Sequence, residues 1–123
     1  MLEFVEGEAL IDHVDPVQYS IRLLVPPGSL LLENPALRPY LGELVRDAFY
    51  YPWTHPDPRM DRLHREVSAA VARAAENGQD PALTFGAIVG LADAAAGHVS
   101  ARPAPAPPAD RRRAPRLTEP WFC

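Results

Sequence analysis

Apolar residues fall at helical spacing in three stretches of the chain and alternate with polar ones in a fourth. Met60, Leu63, Val67, Val71 and Ala74 recur at spacings of three and four, which puts them on one face of a helix. Asp57 stands where an N-cap is needed and Pro58 at the first helical position. Asn77-Gly78 supplies a left-handed stop. Asp80-Pro81 opens a second helix in the same way; Leu83, Ala87, Leu91 and Ala94 form its stripe, and Gly97 ends it. So short a connection predicts an antiparallel helical hairpin. Gly86, Gly90 and Ala94 lie four apart, a ridge of small residues that admits another backbone and offsets the roughly 1 kcal/mol each interior glycine costs.

Upstream the pattern is shorter-ranged. Leu2, Val5 and Ala9 share a helical face, as in the last turns of a helix whose start is missing, and Gly7 weakens it. Asp12 to Pro16 reads as a connection. Tyr19, Ile21, Leu23 and Val25 alternate with Ser20, Arg22 and Leu24, which predicts a strand over 19–25. A helix competes for the same residues, because Asp15-Pro16 with Gln18 can form a cap and first turn. Pro26-Pro27-Gly28 ends the segment in either case. Ser29 then caps a short helix, Leu30 to Glu33, before Pro35 and Pro39 break the path. Phe49, Tyr50, Tyr51 and Trp53 cluster ahead of the hairpin and read as its core, with a substrate pocket as the alternative. A lone strand leaves amide and carbonyl groups unpaired on both edges. The expected fold is therefore mostly α with one or two short strands, the end of a larger sheet-containing domain.

Composition divides the chain near residue 98. Residues 99–123 hold six of the fifteen prolines and five Arg against Asp110 and Glu119, a net charge of +3. The body carries seven Arg and fourteen acids, a net of −7, which argues against a nucleic-acid partner. The chain thus divides into three segments: 1–56, the 57–98 hairpin, and a disordered Pro/Ala/Arg-rich tail over 99–123. All twelve basic residues are arginine, as in a GC-rich coding sequence. One cysteine excludes an internal disulfide and an all-thiolate metal site within one chain. No apolar run approaches the roughly 20 residues that span a bilayer, and the acidic N-terminus lacks signal-peptide features. The expectation is a cytoplasmic protein without a membrane partner.

Cys123 is the leading candidate for chemistry: a thiol at the end of a tail, behind Trp121 and Phe122, which are suited to docking in an apolar pocket. Its plain alternative is an inert thiol at a frayed end. Arg22 is the candidate for binding a substrate carboxylate or phosphate, against the plainer role of a salt bridge; Ser20 and Gln18 are weaker candidates. His13 with Asp12 and Asp15, and His55 with Asp57, raise a metal site, but Asp57 already has a capping role and no metal ligands are assigned. His64 belongs to a helix face, and His98 favours a helix C-terminus.

The stretch Tyr19 to Glu33, with its Pro27-Gly28-Ser29 turn, resembles a late barrel strand of radical S-adenosylmethionine enzymes. His13 to Leu32, Trp53 to Arg59 and the ending Thr118 to Cys123 together resemble the C-terminal part of the CUAEP/CCAEP-tail radical SAM proteins. The resemblance implies the last part of a (β/α) barrel, followed by a helical hairpin and a redox-active tail. In such proteins the tail closes on Cys-Sec-Ala-Glu-Pro or Cys-Cys-Ala-Glu-Pro. It further implies a [4Fe-4S] cluster and S-adenosylmethionine as cofactors of the intact protein, reductive cleavage of that cofactor, and a redox donor or substrate protein for the tail. Here the chain departs from the pattern. The cluster needs a C-x3-C-x2-C trio, and Cys123 is the sole cysteine. The expectation is thus a C-terminal fragment, inactive alone, with the barrel and cluster upstream and a selenocysteine codon (UGA) read as a stop after Cys123. The competing expectation is a small stand-alone helical adaptor with a basic, proline-rich tail.

Overall fold

The computed structural model describes residues 1–98; the expected disordered tail and Cys123 lie outside the described residues. Three α-helices carry the fold: α1, Leu2–Gly7; α2, Pro58–Glu76; and α3, Pro81–Ala96. Three short 3₁₀ turns lie between α1 and α2, at Pro16–Ser20, Leu30–Glu33 and Arg38–Tyr40.

Each long helix begins where its capping pair places it. The Asp57 carboxylate accepts the Arg59 N–H at 2.9 Å, and the Asp80 carboxylate accepts the Ala82 N–H at 2.8 Å. Those bonds satisfy amides that a helix start leaves without partners. Gly97 closes α3 in the left-handed conformation, φ 78°. α2 ends one residue earlier than its glycine: Asn77 is the C-cap, and Gly78 turns left-handed behind it. The short link from Asn77 to Asp80 folds α3 back along α2.

Val67 and Val71 of α2 bury against Ile88 of α3, with Leu63, Leu91, Leu2, Val17 and Tyr19 packed around them. The Pro16–Ser20 turn lies across both long helices. Tyr19 meets Phe85 edge-on, ring centroids 5.7 Å apart, and its burial pushes the phenol pKa up. Thr84, 1% exposed, is the buried polar residue of this core. Its hydroxyl donates to the Asp80 carbonyl and accepts from the Gln79 side-chain amide.

Four expectations need correction. The strand over 19–25 does not form, and the described residues contain no sheet. Asp15 accepts the Val17 N–H at 3.1 Å and starts the Pro16–Ser20 turn, which takes in Tyr19 and Ser20. The competing capping signal at Asp15-Pro16 thus prevails over the alternation. Residues 21–25 run without helix or ladder, and the amides of Arg22, Leu23, Leu24 and Val25 donate to no backbone carbonyl among the described residues. Second, the inner face of α3 is Ala82, Phe85 and Ile88, with Leu91 beside it, while Leu83 is 51% exposed and Ala87 and Ala94 face solvent. Apolar residues surround this helix on all sides, so spacing alone selects no face. Third, a Cβ placed on Gly90 would meet nothing within 4 Å, so no backbone among the described residues approaches the small-residue ridge at that position. Fourth, the aromatic cluster is not the hairpin's core: Phe49 is exposed, and Tyr50, Tyr51 and Trp53 are half-buried.

Those aromatics belong instead to a small loop-back over residues 41–53. Leu41 bridges Trp53 and Val45 bridges Tyr50, both antiparallel. The Gly42 N–H donates to the Pro52 carbonyl at 2.7 Å, and a Cβ on Gly42 would sit 2.9 Å from Pro52 Cγ. Only glycine permits that approach. The Tyr51 N–H donates to the carbonyl of Val25, a fully buried residue, at 2.8 Å. That bond ties the loop-back to the extended segment.

Candidate functional site

Arg22 organises the best-defined polar constellation. Its position is set from three sides. The extended segment carries it past the N-terminal turn of α2, where Asp61 projects. The loop-back brings Trp53 beneath it. Arg22 Nη2 donates to Asp61 Oδ1 at 2.6 Å and to the Trp53 carbonyl at 2.8 Å. The guanidinium carbon stands 4.1 Å from the centroid of the Trp53 ring, within the range of a cation–π contact. The Trp53 indole N–H in turn donates to the Leu23 carbonyl at 2.9 Å. Arg22 Nε is buried with no hydrogen-bond partner among the described residues.

Asp61 serves two partners. Besides Arg22 it accepts the His55 N–H with both oxygens, at 3.2 and 3.0 Å. Burial pushes its pKa up, but the His55 amide and the Arg22 guanidinium outweigh that and hold the carboxyl below its ordinary value. The Asp57 N–H donates to His55 Nδ1 at 2.9 Å, and the same nitrogen lies 3.2 Å from the Asp57 carbonyl. Asp57 also pairs with Arg59 at 2.6 Å. The Arg59 side-chain and backbone N–H groups draw the Asp57 pKa down to about 2.

Beside this network lies an open, mostly apolar groove of about 230 Å³, walled by Ile21, Leu23, Trp53 and Met60, with Arg22, Asp61 and His64 along it. His64 Nε2 lies 3.1 Å from the Ser20 carbonyl. Ile21 and Leu23 are 64% and 55% exposed. The chemistry available is therefore recognition: an apolar wall, a stacked cation and a carboxylate already paired to it.

The other sequence candidates are dispersed. Ser20 turns inward and donates its hydroxyl to the Val17 carbonyl at 2.8 Å, while Gln18 and His13 are exposed. Asp15 caps the first 3₁₀ turn. His98 is exposed just past the α3 C-cap, its N–H donating to the Asp93 carbonyl at 2.8 Å. Among the described residues no three His, Cys, Asp or Glu side chains gather to hold a metal ion. With one thiol in the chain, its own residues do not fit a [4Fe-4S] cluster. Sequence reasoning passed over Asp61, and it singled out Trp53 only within the aromatic cluster, not as a partner of Arg22. Asp61 carried a faint signal, an acid in the first turn of a capped helix, but its partner lies 39 positions away.

No family model, curated protein or solved structure matches this chain. No helix among the described residues is long and apolar enough to cross a membrane.

Proposed function

We propose that this chain is the C-terminal part of a radical SAM enzyme of the CUAEP/CCAEP-tail kind, with the barrel and cluster supplied by polypeptide that precedes it. In this proposal the enzyme cleaves S-adenosylmethionine reductively at that upstream cluster. In it residues 1–56 complete the barrel, the 57–98 hairpin covers one end of it, and the tail presents Cys123, beside a native selenocysteine or second cysteine, to a redox donor or substrate protein. The observation that carries the proposal is the state of Ile21 to Val25. This stretch ends at the Pro-Gly-Ser turn of the resemblance, exposes Ile21, Leu23 and Leu24, and keeps the amides of Arg22 to Val25 unpaired within the described chain. A last barrel strand deprived of its neighbour has those properties. The codons on either side test the proposal. It expects an in-frame C-x3-C-x2-C upstream, and UGA followed by Ala-Glu-Pro codons after Cys123. UAA or UAG at that position, with no cysteine trio ahead, refutes it.

The second reading, a stand-alone helical adaptor, is favoured by one observation: Val67, Val71, Phe85 and Ile88 make a closed core from this chain alone. It predicts that purified protein melts cooperatively as a monomer.

A further inference from the structure

We propose that Trp121 and Phe122 of the chain's own tail dock in the groove beside Arg22. The groove offers what two large aromatics need: aliphatic walls at Ile21 and Leu23, the ring of Trp53 and the thioether of Met60, which favours aromatic contact. Asp61 and His64 lie along it as polar atoms for an indole N–H. The tail also starts near it. α3 returns along α2, so the chain passes from His98 to Val99 at the end of the hairpin where α2 begins, and α2 begins with Met60, Asp61 and His64. Residues 99–120 separate that exit from Trp121. Six of those residues are proline, so the spacer tends toward the extended limit of about 3.1 Å per residue, more than enough for its far end to return to a groove beside the exit. Tethering raises the tip's local concentration at a nearby groove, so even weak docking is populated. Charge acts in the same direction, with +3 on residues 99–123 against −7 on the body.

This docking does not rest on the radical SAM reading; the flanking codons decide that one, whereas the docking is read on the chain of residues 1–123 itself. The test uses the full chain and its single cysteine. A nitroxide attached to Cys123 should broaden the NMR signals of the Trp53 indole N–H and the Ile21 and Leu23 amides, and reduction of the nitroxide should restore them. The double variant W121A/F122A, which leaves the core untouched, should lose the broadening and, without any label, shift the Trp53 indole signal. Full-intensity signals from these groups in the labelled protein overturn the proposal, as does broadening that survives in W121A/F122A. Broadening that also appears on isotope-labelled chains mixed with spin-labelled ones places a second copy in the groove and overturns it as well.

Discussion

Phe49 holds a φ of 56° at the tip of the loop-back, with its N–H donating to the Val45 carbonyl at 2.8 Å. A side chain in that region costs roughly 1–2 kcal/mol, and Phe49 recovers little by burial because it is 65% exposed. Phe49→Gly is expected to stabilise the protein by about 0.5–1 kcal/mol after glycine's own entropy is subtracted, read as a rise in Tm. Phe85 is the opposite case. It is 1% exposed and meets Tyr19 edge-on, so Phe85→Ala should cost about 3–5 kcal/mol in a denaturant titration. Arg22 was legible in the sequence as a residue of interest; its partners were not. A cation in the middle of an alternating stretch announces itself, whereas Asp61 looks ordinary until the chain folds and Trp53 stands out only as one of the clustered aromatics.

Helix ends in this protein were readable because they rest on local chemistry. Asp57-Pro58 and Asp80-Pro81 each combine a capping oxygen with a residue that lacks an amide proton, and both helices start there. Removing one cap tests that account: Asp80→Ala should lower stability by about 1 kcal/mol and fray the first turn of α3, seen as loss of helical circular dichroism at the transition foot. Helix faces are less local. The α2 stripe was readable because charged residues mark its outer side; α3 has Asp93 as its only charged residue, and the packing of Phe85 against Tyr19 decided its rotation instead. The expected strand failed for a related reason. Alternation from Tyr19 to Val25 describes side chains, but a strand needs backbone partners. Here the Trp53 indole takes the Leu23 carbonyl and the Tyr51 amide takes that of Val25, so single donors stand in for a neighbouring strand.

Across the whole molecule, acid is the condition to which the fold should respond. Asp57 and Asp61 both have pKa values below the ordinary 3.8 in the folded state, so each ionised form is favoured by folding. Their contribution is complete above the unfolded value and is lost as pH falls through the folded one, which for Asp57 lies at about 2. Tm measured at about pH 5 should therefore exceed that at about pH 2, and Asp61→Asn should narrow the difference; an unchanged difference in that variant would remove Asp61 from the account. The bare run from Ile21 to Val25 has a consequence of its own. Amide protons held by no acceptor trade with deuterium quickly, while those inside α2 wait for the helix to open. The amides of Arg22, Leu23 and Leu24 should be among the fastest to exchange in the body, and any strand laid along them, whatever molecule it comes from, would announce its arrival by slowing that clock.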